Sequence, residues 1–291
     1  MSSPRFCIGT VKLGDKNYGY SSAKSDRNVD DFFNKCKELG IYNFDTSPRY
    51  GLSEQILGKY LKSLSKNKVF VSTKVDGLIA NSVYAEEKIR SSIEKSLSNL
   101  NLNKIDLLYL HQNSLKIISD KFILDALIKV KQQGLIGSIG ASIYNMDELQ
   151  YVMKNDIFDY VQIPINISDI YFYNILLNSK SKIKIVARSI FLQGLLLNLE
   201  KGENIKYYQE LSKAVDRLNN ILKDHNLDLR KALIAYIFSL KNLSMVIMGT
   251  TSLNNLEINH TNSKINLNNE IMEELNKFSK DQALWTNPRN W

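Results

Sequence analysis

Four residues in this sequence have side chains suited to moving protons and steadying charge, and three of them sit directly after or at the close of an apolar run. Asp45 follows Ile41-Tyr-Asn-Phe44, Lys74 ends Val-Phe-Val-Ser-Thr-Lys, and His111 ends Ile-Asp-Leu-Leu-Tyr-Leu-His. Tyr50 lies five residues beyond Asp45, in the polar, turn-prone stretch Thr46-Ser-Pro-Arg-Tyr-Gly51. Short apolar and aromatic runs read as buried strands. In parallel α/β proteins the C-terminal ends of such strands are where catalytic groups gather. Each residue alone has a plain explanation: a surface lysine, a hydrogen-bonded core histidine, a packing tyrosine. Three successive strands that each deliver an ionisable group to one rim are harder to dismiss.

The elements that would position these groups follow from periodicity. Eight short apolar or β-branched runs recur: Phe6–Thr10, Ile41–Phe44, Val69–Thr73, Ile105–Leu110, Ile136–Ala141, Tyr160–Ile163, Ile183–Ala187 and Met245–Met248. Between them apolar residues repeat at helical spacing, as in Val29, Phe32, Phe33, Cys36 and Leu39, ended by Gly40. Ile89, Ile93, Leu97 and Leu100 form another such face, and Phe122, Ala126, Leu127 and Val130 a third, stopped by Gly134. Ser53 is placed to cap a helix burying Ile56, Leu57, Tyr60 and Leu61. Strand–helix alternation implies a parallel sheet, and eight units favour a closed (β/α)8 TIM barrel over an open one. No GxGxxG follows the first strand, which argues against a Rossmann arrangement. No linker splits the chain, so a single domain over residues 1–291 is expected, with the tail 279–291 near the pocket or packed on the barrel.

Composition narrows the function classes. No run of eighteen apolar residues exists and the first residues carry no signal-peptide block, so a cytoplasmic protein with no membrane span is expected. Cys7 and Cys36 are expected as buried thiols, and the scattered His111, His225 and His260 make no zinc-binding spacing, so no metal is expected. The net charge of +8 is spread along helices and loops rather than gathered in an arm. That fits a solvated surface or attraction of an anionic small molecule better than nucleic-acid binding.

Phe44-Asp-Thr-Ser-Pro-Arg-Tyr-Gly-Leu-Ser-Glu54, followed by Ser-Thr-Lys74 and Tyr-Leu-His111, resembles the aldo-keto reductase superfamily. The likeness continues through Ile-Gly-Ala-Ser142, Val-Gln-Ile-Pro164 and Gly249-Thr-Thr-Ser-Leu-Asn-Asn-Leu-Glu-Ile-Asn259, so it covers nearly the whole chain. It implies an NAD(P)H-dependent carbonyl reductase with a catalytic tetrad of Asp45, Tyr50, Lys74 and His111. Tyr50 would give a proton to the carbonyl oxygen as hydride arrives. A free phenol has a pKa of about 10, and a nearby ammonium, here Lys74, favours its ionised form. Asp45 would hold Lys74 charged, and His111 would orient the carbonyl and stabilise the developing oxyanion.

The same resemblance implies cofactor contacts from Gly9, Thr10, Ser142, Gln162, Arg188, Ser189, Gly249, Thr250, Asn255 and Asn259. Ser142 and Gln162 match positions that hold the carboxamide and flank the nicotinamide. Arg188 replaces the aromatic residue that commonly stacks beneath that ring, and Ile143 replaces an asparagine. Gly249 and Asn255 stand where basic residues often grip the 2′-phosphate, which leaves NADP(H) as the default and NAD(H) open. The first strand starts almost at once, leaving little room for a hairpin across the barrel floor. The loop Gly14–Ser22 is expected to flank the pocket, and Trp285 and Trp291 to pack on the barrel or wall the pocket. Ala187-Arg-Ser-Ile-Phe-Leu-Gln-Gly-Leu-Leu196 resembles a bacterial subgroup associated with sugar and surface-polysaccharide metabolism, which points to a keto-sugar or nucleotide-linked sugar as the small-molecule carbonyl substrate. The competing reading is a cofactor-binding regulatory subunit, like the reductase-related subunits of potassium channels. Oligomeric state is not legible.

Overall fold

A computed structural model describes residues 5–14, 28–64, 69–111 and 114–278. The loop after Gly14 and the tail from 279 with both tryptophans lie outside them, so the expectations placed there are left as they stand. Eight parallel strands close into a barrel in sequence order: β1 (Arg5–Gly9), β2 (Asn43–Asp45), β3 (Phe70–Val75), β4 (Ile105–Leu110), β5 (Ile136–Ser142), β6 (Tyr160–Pro164), β7 (Lys184–Arg188) and β8 (Leu243–Gly249). β8 pairs back onto β1, with Gly9 opposite Gly249, and Gly9 also stands opposite Asp45 of β2. The fold is a single-domain (β/α)8 TIM barrel, and none of its described helices is long and apolar enough to cross a membrane.

The helices that wrap the barrel are α1 (Val11–Gly14), α2 (Val29–Glu38), α3 (Ser53–Leu61), α4 (Ala85–Leu100), α5 (Leu115–Ile118), α6 (Lys121–Gln132), α7 (Met146–Lys154), α8 (Tyr171–Leu177), α9 (Tyr208–Asp224), α10 (Leu229–Ser239), α11 (Leu253–Asn262) and α12 (Asn269–Phe278). The expected apolar faces meet the sheet, with one exchange. On α6 the buried set is Ile123, Ala126, Leu127 and Val130, while Phe122 is exposed. Asp120 caps that helix by accepting from the Ile123 N–H at 3.1 Å, which sets the phase so that 123 rather than 122 falls in the 3.6-residue stripe.

Ile41 belongs to a helix stop and not to β2. Gly40 takes φ +72°, and the Ile41 N–H closes back onto the Cys36 carbonyl at 2.8 Å, so that donor is spent on ending α2. Gly134 ends α6 in the same way, with the Leu135 N–H on the Val130 carbonyl at 3.1 Å.

Inside the barrel, Cys7, Leu107, Tyr109, Tyr160, Val186 and Met245 form a separate buried cluster. These come from β1, β4, β6, β7 and β8 and make an apolar floor. Two residues further along five of the strands, at the same inward parity, stand Gly9, His111, Gln162, Arg188 and Ile247. Both cysteines are free and buried, and burial pushes the Cys36 thiol up to about 12 and Cys7 well above its ordinary value.

Candidate functional site

Tyr50 is carried by the loop between β2 and α3, and two neighbouring backbones hold that loop. A Cβ on Gly14 would lie 1.5 Å from the Tyr50 carbonyl oxygen, and Gly51 takes φ +56° with its own Cβ position 2.8 Å from the Gly14 carbonyl. Only glycine allows so close an approach with that φ. Ser53 does not cap α3 through its side chain, as the sequence suggested. Its Oγ lies 2.6 Å from Thr10 Oγ1 and 3.0 Å from Thr46 Oγ1, fastening the first turn of α3 to the ends of β1 and β2. Glu54, fully buried, accepts from Thr73 Oγ1 at 2.8 Å and Asn99 Nδ2 at 3.1 Å, fixing the same turn to β3 and α4. Ser53 and Glu54 were read only as part of a motif, and their spacing alone did not reveal these partners.

The loop brings Tyr50 over a buried ion pair. Lys74 Nζ donates to Asp45 Oδ1 at 2.5 Å and to the Thr46 carbonyl at 2.8 Å, and it stands 5.0 Å from the Tyr50 ring centroid. Both charges are almost wholly buried. Burial works against the Lys74 charge, but attraction to Asp45, with Tyr50 adding to it, outweighs burial and raises the lysine above its ordinary value. Asp45 Oδ2 accepts from Ser72 Oγ at 2.9 Å and from Gln162 Nε2 at 3.1 Å, and Ser142 Oγ donates to Gln162 Oε1 at 3.1 Å. The amide of Gln162 and the hydroxyl of Ser142 are therefore joined to the carboxylate in one buried chain.

His111 stands past β4, its N–H on the Val75 carbonyl and its ring edge-on to Tyr50 with centroids 6.1 Å apart. Its Nδ1 lies 3.1 Å from Asp76 Oδ2, which also meets Arg49 Nη1 at 2.9 Å. Neither contact is aligned as a hydrogen bond. The hydrogen bond of Nδ1 is to Ser47 Oγ at 3.5 Å, and which of the two donates depends on the tautomer of the ring. Burial, and then the Lys74 charge, lower the His111 pKa to about 4, against opposing pulls from Asp76 and Asp45. The unfolded chain thus takes up this proton near pH 6.5 and the folded one near 4, so stability falls as pH drops between those values. Urea unfolding of the wild type and His111→Gln at pH 7 and pH 5 checks this. The wild type is expected to lose more stability, by on the order of 1–3 kcal/mol, and equal losses would remove His111 as a cause.

Asp45, Tyr50 and Gln162 line one cavity of about 330 Å³. Gly9, Thr10, Arg188, Ser189, Gly249, Thr250, Asn255 and Asn259 line it too. Lys74 and Ser142 lie beneath its wall as the partners of Asp45 and Gln162, and His111 flanks Tyr50. Lys12 and Arg230 also line the cavity, and sequence reasoning missed both. Their only signal was charge, which thirty-eight Lys and Arg residues share.

The lining suits a long anionic ligand with a flat end. Lys12, Arg188 and Arg230 form no ion pair among the described residues, and the one carboxylate lining the cavity, Asp45, is already paired. Burial, and then the neighbouring Lys201, push Lys12 down. Arg188 lies 3.9 Å from the centroid of the Tyr144 ring and donates to the Ile143 carbonyl at 3.1 Å, so its guanidinium plane is held in place as a shelf. The wall from Ser189 to Gly194 has positive φ at Ser189, Leu192, Gln193 and Gly194. Three of these are not glycine, and each stores roughly 1–3 kcal/mol of backbone strain, a feature that clusters at ligand clamps.

The sequence profile described as Aldo/keto reductase family matches residues 5–280. The chain is 31% identical over 237 residues to L-galactose dehydrogenase of Arabidopsis thaliana, covering 76% of this chain and 73% of that one. It is 26% identical over 257 residues to D-threo-aldose 1-dehydrogenase of a Pseudomonas species, covering 73% and 76%. Among solved structures, the thermostable aldo-keto reductase Tm1743, crystallised with the inhibitor epalrestat, superposes with a TM-score of 0.74 at 22% identity, covering 94% of this chain and 95% of that one. That last likeness speaks for the fold.

Proposed function

Because this chain belongs to the aldo/keto reductase family and is an NAD(P)-dependent oxidoreductase, we propose that it interconverts a carbonyl and an alcohol on a small polyhydroxylated substrate of the sugar class, with Tyr50 as the proton donor in reduction. The cofactor, when bound, supplies or accepts the hydride. The observation that carries the reading is the Lys74 ammonium, held 2.5 Å from Asp45 and 5.0 Å from the Tyr50 ring, beside a cavity lined by Lys12, Arg188 and Arg230, which form no ion pair among the described residues.

Each side chain then has a physical task. As Tyr50 gives its proton to the carbonyl oxygen, negative charge is left on the phenol, and the ammonium beside it stabilises that charge. Asp45 keeps the ammonium protonated, while Ser72 and Gln162 occupy its other oxygen and fix its direction. The apolar floor excludes water below the pair, which strengthens these interactions. Arg188 and Ser189 offer a flat shelf and a hydroxyl toward the nicotinamide. Lys12 offers a charge to the phosphates.

His111 stands beside Tyr50, where a ring N–H can orient the carbonyl and stabilise the charge developing on its oxygen. The amide side chains of Gln193 and Asn198 line the cavity and can bond a hydroxyl on the carbon next to the reacting carbonyl, which a sugar carries and a plain aldehyde lacks. That agrees in class with the names of the sugar dehydrogenase relatives. Cofactor absorbance is followed in both directions with aldoses, glyceraldehyde and propanal. Glyceraldehyde is expected to exceed propanal by at least about tenfold in kcat/KM, since a site built to bond a hydroxyl rejects the analogue without it. Equal rates would sink the sugar-class assignment, and no turnover with any aldehyde, ketone or aldose would sink the whole reading.

A further inference from the structure

The register of β3 and β4 sets Val75 opposite Leu110, and each strand ends there. The next residue on each, Asp76 and His111, therefore emerge side by side on the rim, and the His111 N–H closes onto the Val75 carbonyl at 3.0 Å. Asp76 Oδ1 accepts from the Gly77 N–H at 2.7 Å, which turns Oδ2 toward the ring, 3.1 Å from Nδ1. Arg49 reaches the same oxygen from the loop between β2 and α3, with Nη1 at 2.9 Å. Its backbone N–H donates to Ser47 Oγ at 3.2 Å, and Ser47 Oγ lies 3.5 Å from His111 Nδ1. One carboxylate oxygen is thus shared between a guanidinium and an imidazole. The Asp76 side chain is 15% exposed, whereas Arg49 is 68% exposed and gains little packing from its position.

The mechanism given above uses neither Arg49 nor Asp76. The groups that face the ring are Asp45 from β2, Ser47, Arg49 and Tyr50 from the loop after it, Lys74 from β3, and Asp76 just beyond. Burial and then Lys74 hold the ring's pKa down to about 4; Asp76 and Asp45 pull the other way, and Arg49 sides with Lys74. Asp45 is closed on Lys74 and belongs to the buried chain below Tyr50. Asp76 is the anion in contact with the ring itself, and a carboxylate at that distance draws a proton onto an imidazole. Arg49 sits on the very oxygen that would do so and cancels much of its charge.

We propose that Arg49 and Asp76 are positioning residues that act through His111: Arg49, by neutralising Asp76, keeps the ring uncharged through the neutral pH range, so that Lys74 remains the cation that acts on the Tyr50 proton. This rests on the reading of the tetrad given above. A ring that took up a proton would set a second cation beside Tyr50 and against Lys74, and the charge felt at the reacting oxygen would change with pH.

The imidazole C–H resonances of the full chain, followed by NMR from pH 8 to pH 4.5 without cofactor or substrate, test the charge balance directly. His111 is identified by the signal that His111→Gln lacks. In the wild type it is expected to stay uncharged to about pH 5, in keeping with its lowered pKa. Arg49→Gln is expected to raise its midpoint by about one pH unit, the usual effect of freeing a nearby charge. Adding Asp76→Asn to Arg49→Gln is expected to cancel that rise, which loss of a merely structural contact would not do. The acid-side transition in kcat/KM is expected to move up with Arg49→Gln and to return in the double variant. A midpoint that ignores Arg49→Gln, or a rise that survives Asp76→Asn, overturns the proposal, and so does a midpoint that moves while the kinetic transition stays. A wild type that turns over no carbonyl overturns the reading of the tetrad, and the titration still decides the charge balance. Should the double variant not fold, Asp76→Ser replaces Asp76→Asn, and the same cancellation is expected.

Discussion

Tyr50→Phe is expected to lower kcat for carbonyl reduction by about 10²–10⁴-fold, the usual worth of a positioned general acid. The change removes one oxygen and leaves the ring. The edge-on contact with His111 at 6.1 Å and the approach of Lys74 at 5.0 Å can both persist, and so can the backbone clasp between Gly51 and Gly14. Cofactor affinity, read by fluorescence titration, is therefore expected to stay within a fewfold of the wild type. The drop should appear in single-turnover rates, because it lies in the chemical step and not in release. A variant that turns over at the normal rate would take Tyr50 out of the mechanism.

Lys74→Met is expected to abolish activity and also to cost roughly 3–5 kcal/mol of stability. The second effect follows from Asp45, which the substitution leaves buried and unpaired, with only Ser72 and Gln162 donating to it. The double variant Asp45→Asn/Lys74→Met removes both charges and is expected to regain part of that stability while remaining inactive. The pH dependence has a definite sign. Lys74 is raised above its unfolded value of about 10.4, so its contribution is complete below that pH and is lost as pH rises through the folded value. The difference in stability between wild type and Lys74→Met should be flat on this account up to about pH 10 and shrink above it. Chemical denaturation across that range measures it, and a difference unchanged to pH 12 would deny Lys74 its charge-pairing role.

Period and punctuation are local properties, so the sequence by itself settled the barrel and the rim. Apolar runs between helical repeats specify eight strands, and an ionisable residue at or beyond the end of an inward-facing register has nowhere to go but the top of the barrel. Asp45, Lys74 and His111 were legible in this way, and Tyr50 by its distance from Asp45. Glycine also acts locally, which is why Gly40 and Gly134 marked the ends of α2 and α6 correctly.

What waited for the tertiary structure were choices among partners far apart in the chain. Ser53 looked like a helix cap because its neighbours in sequence favour that use, but Thr10, 43 residues away, claims its hydroxyl. Gln162 reaches Asp45 across 117 residues. Asp76 has no special meaning in a line of letters, and only the fold sets it beside Nδ1 of His111. Arg188 becomes a shelf because Tyr144, from the neighbouring β5–α7 turn, lies against it. Arg230 is one basic residue among many until α10 and α11 meet around it. A side chain's type is written in the sequence, but its charge state and its task depend on which distant groups surround it. That surrounding is created when the barrel closes.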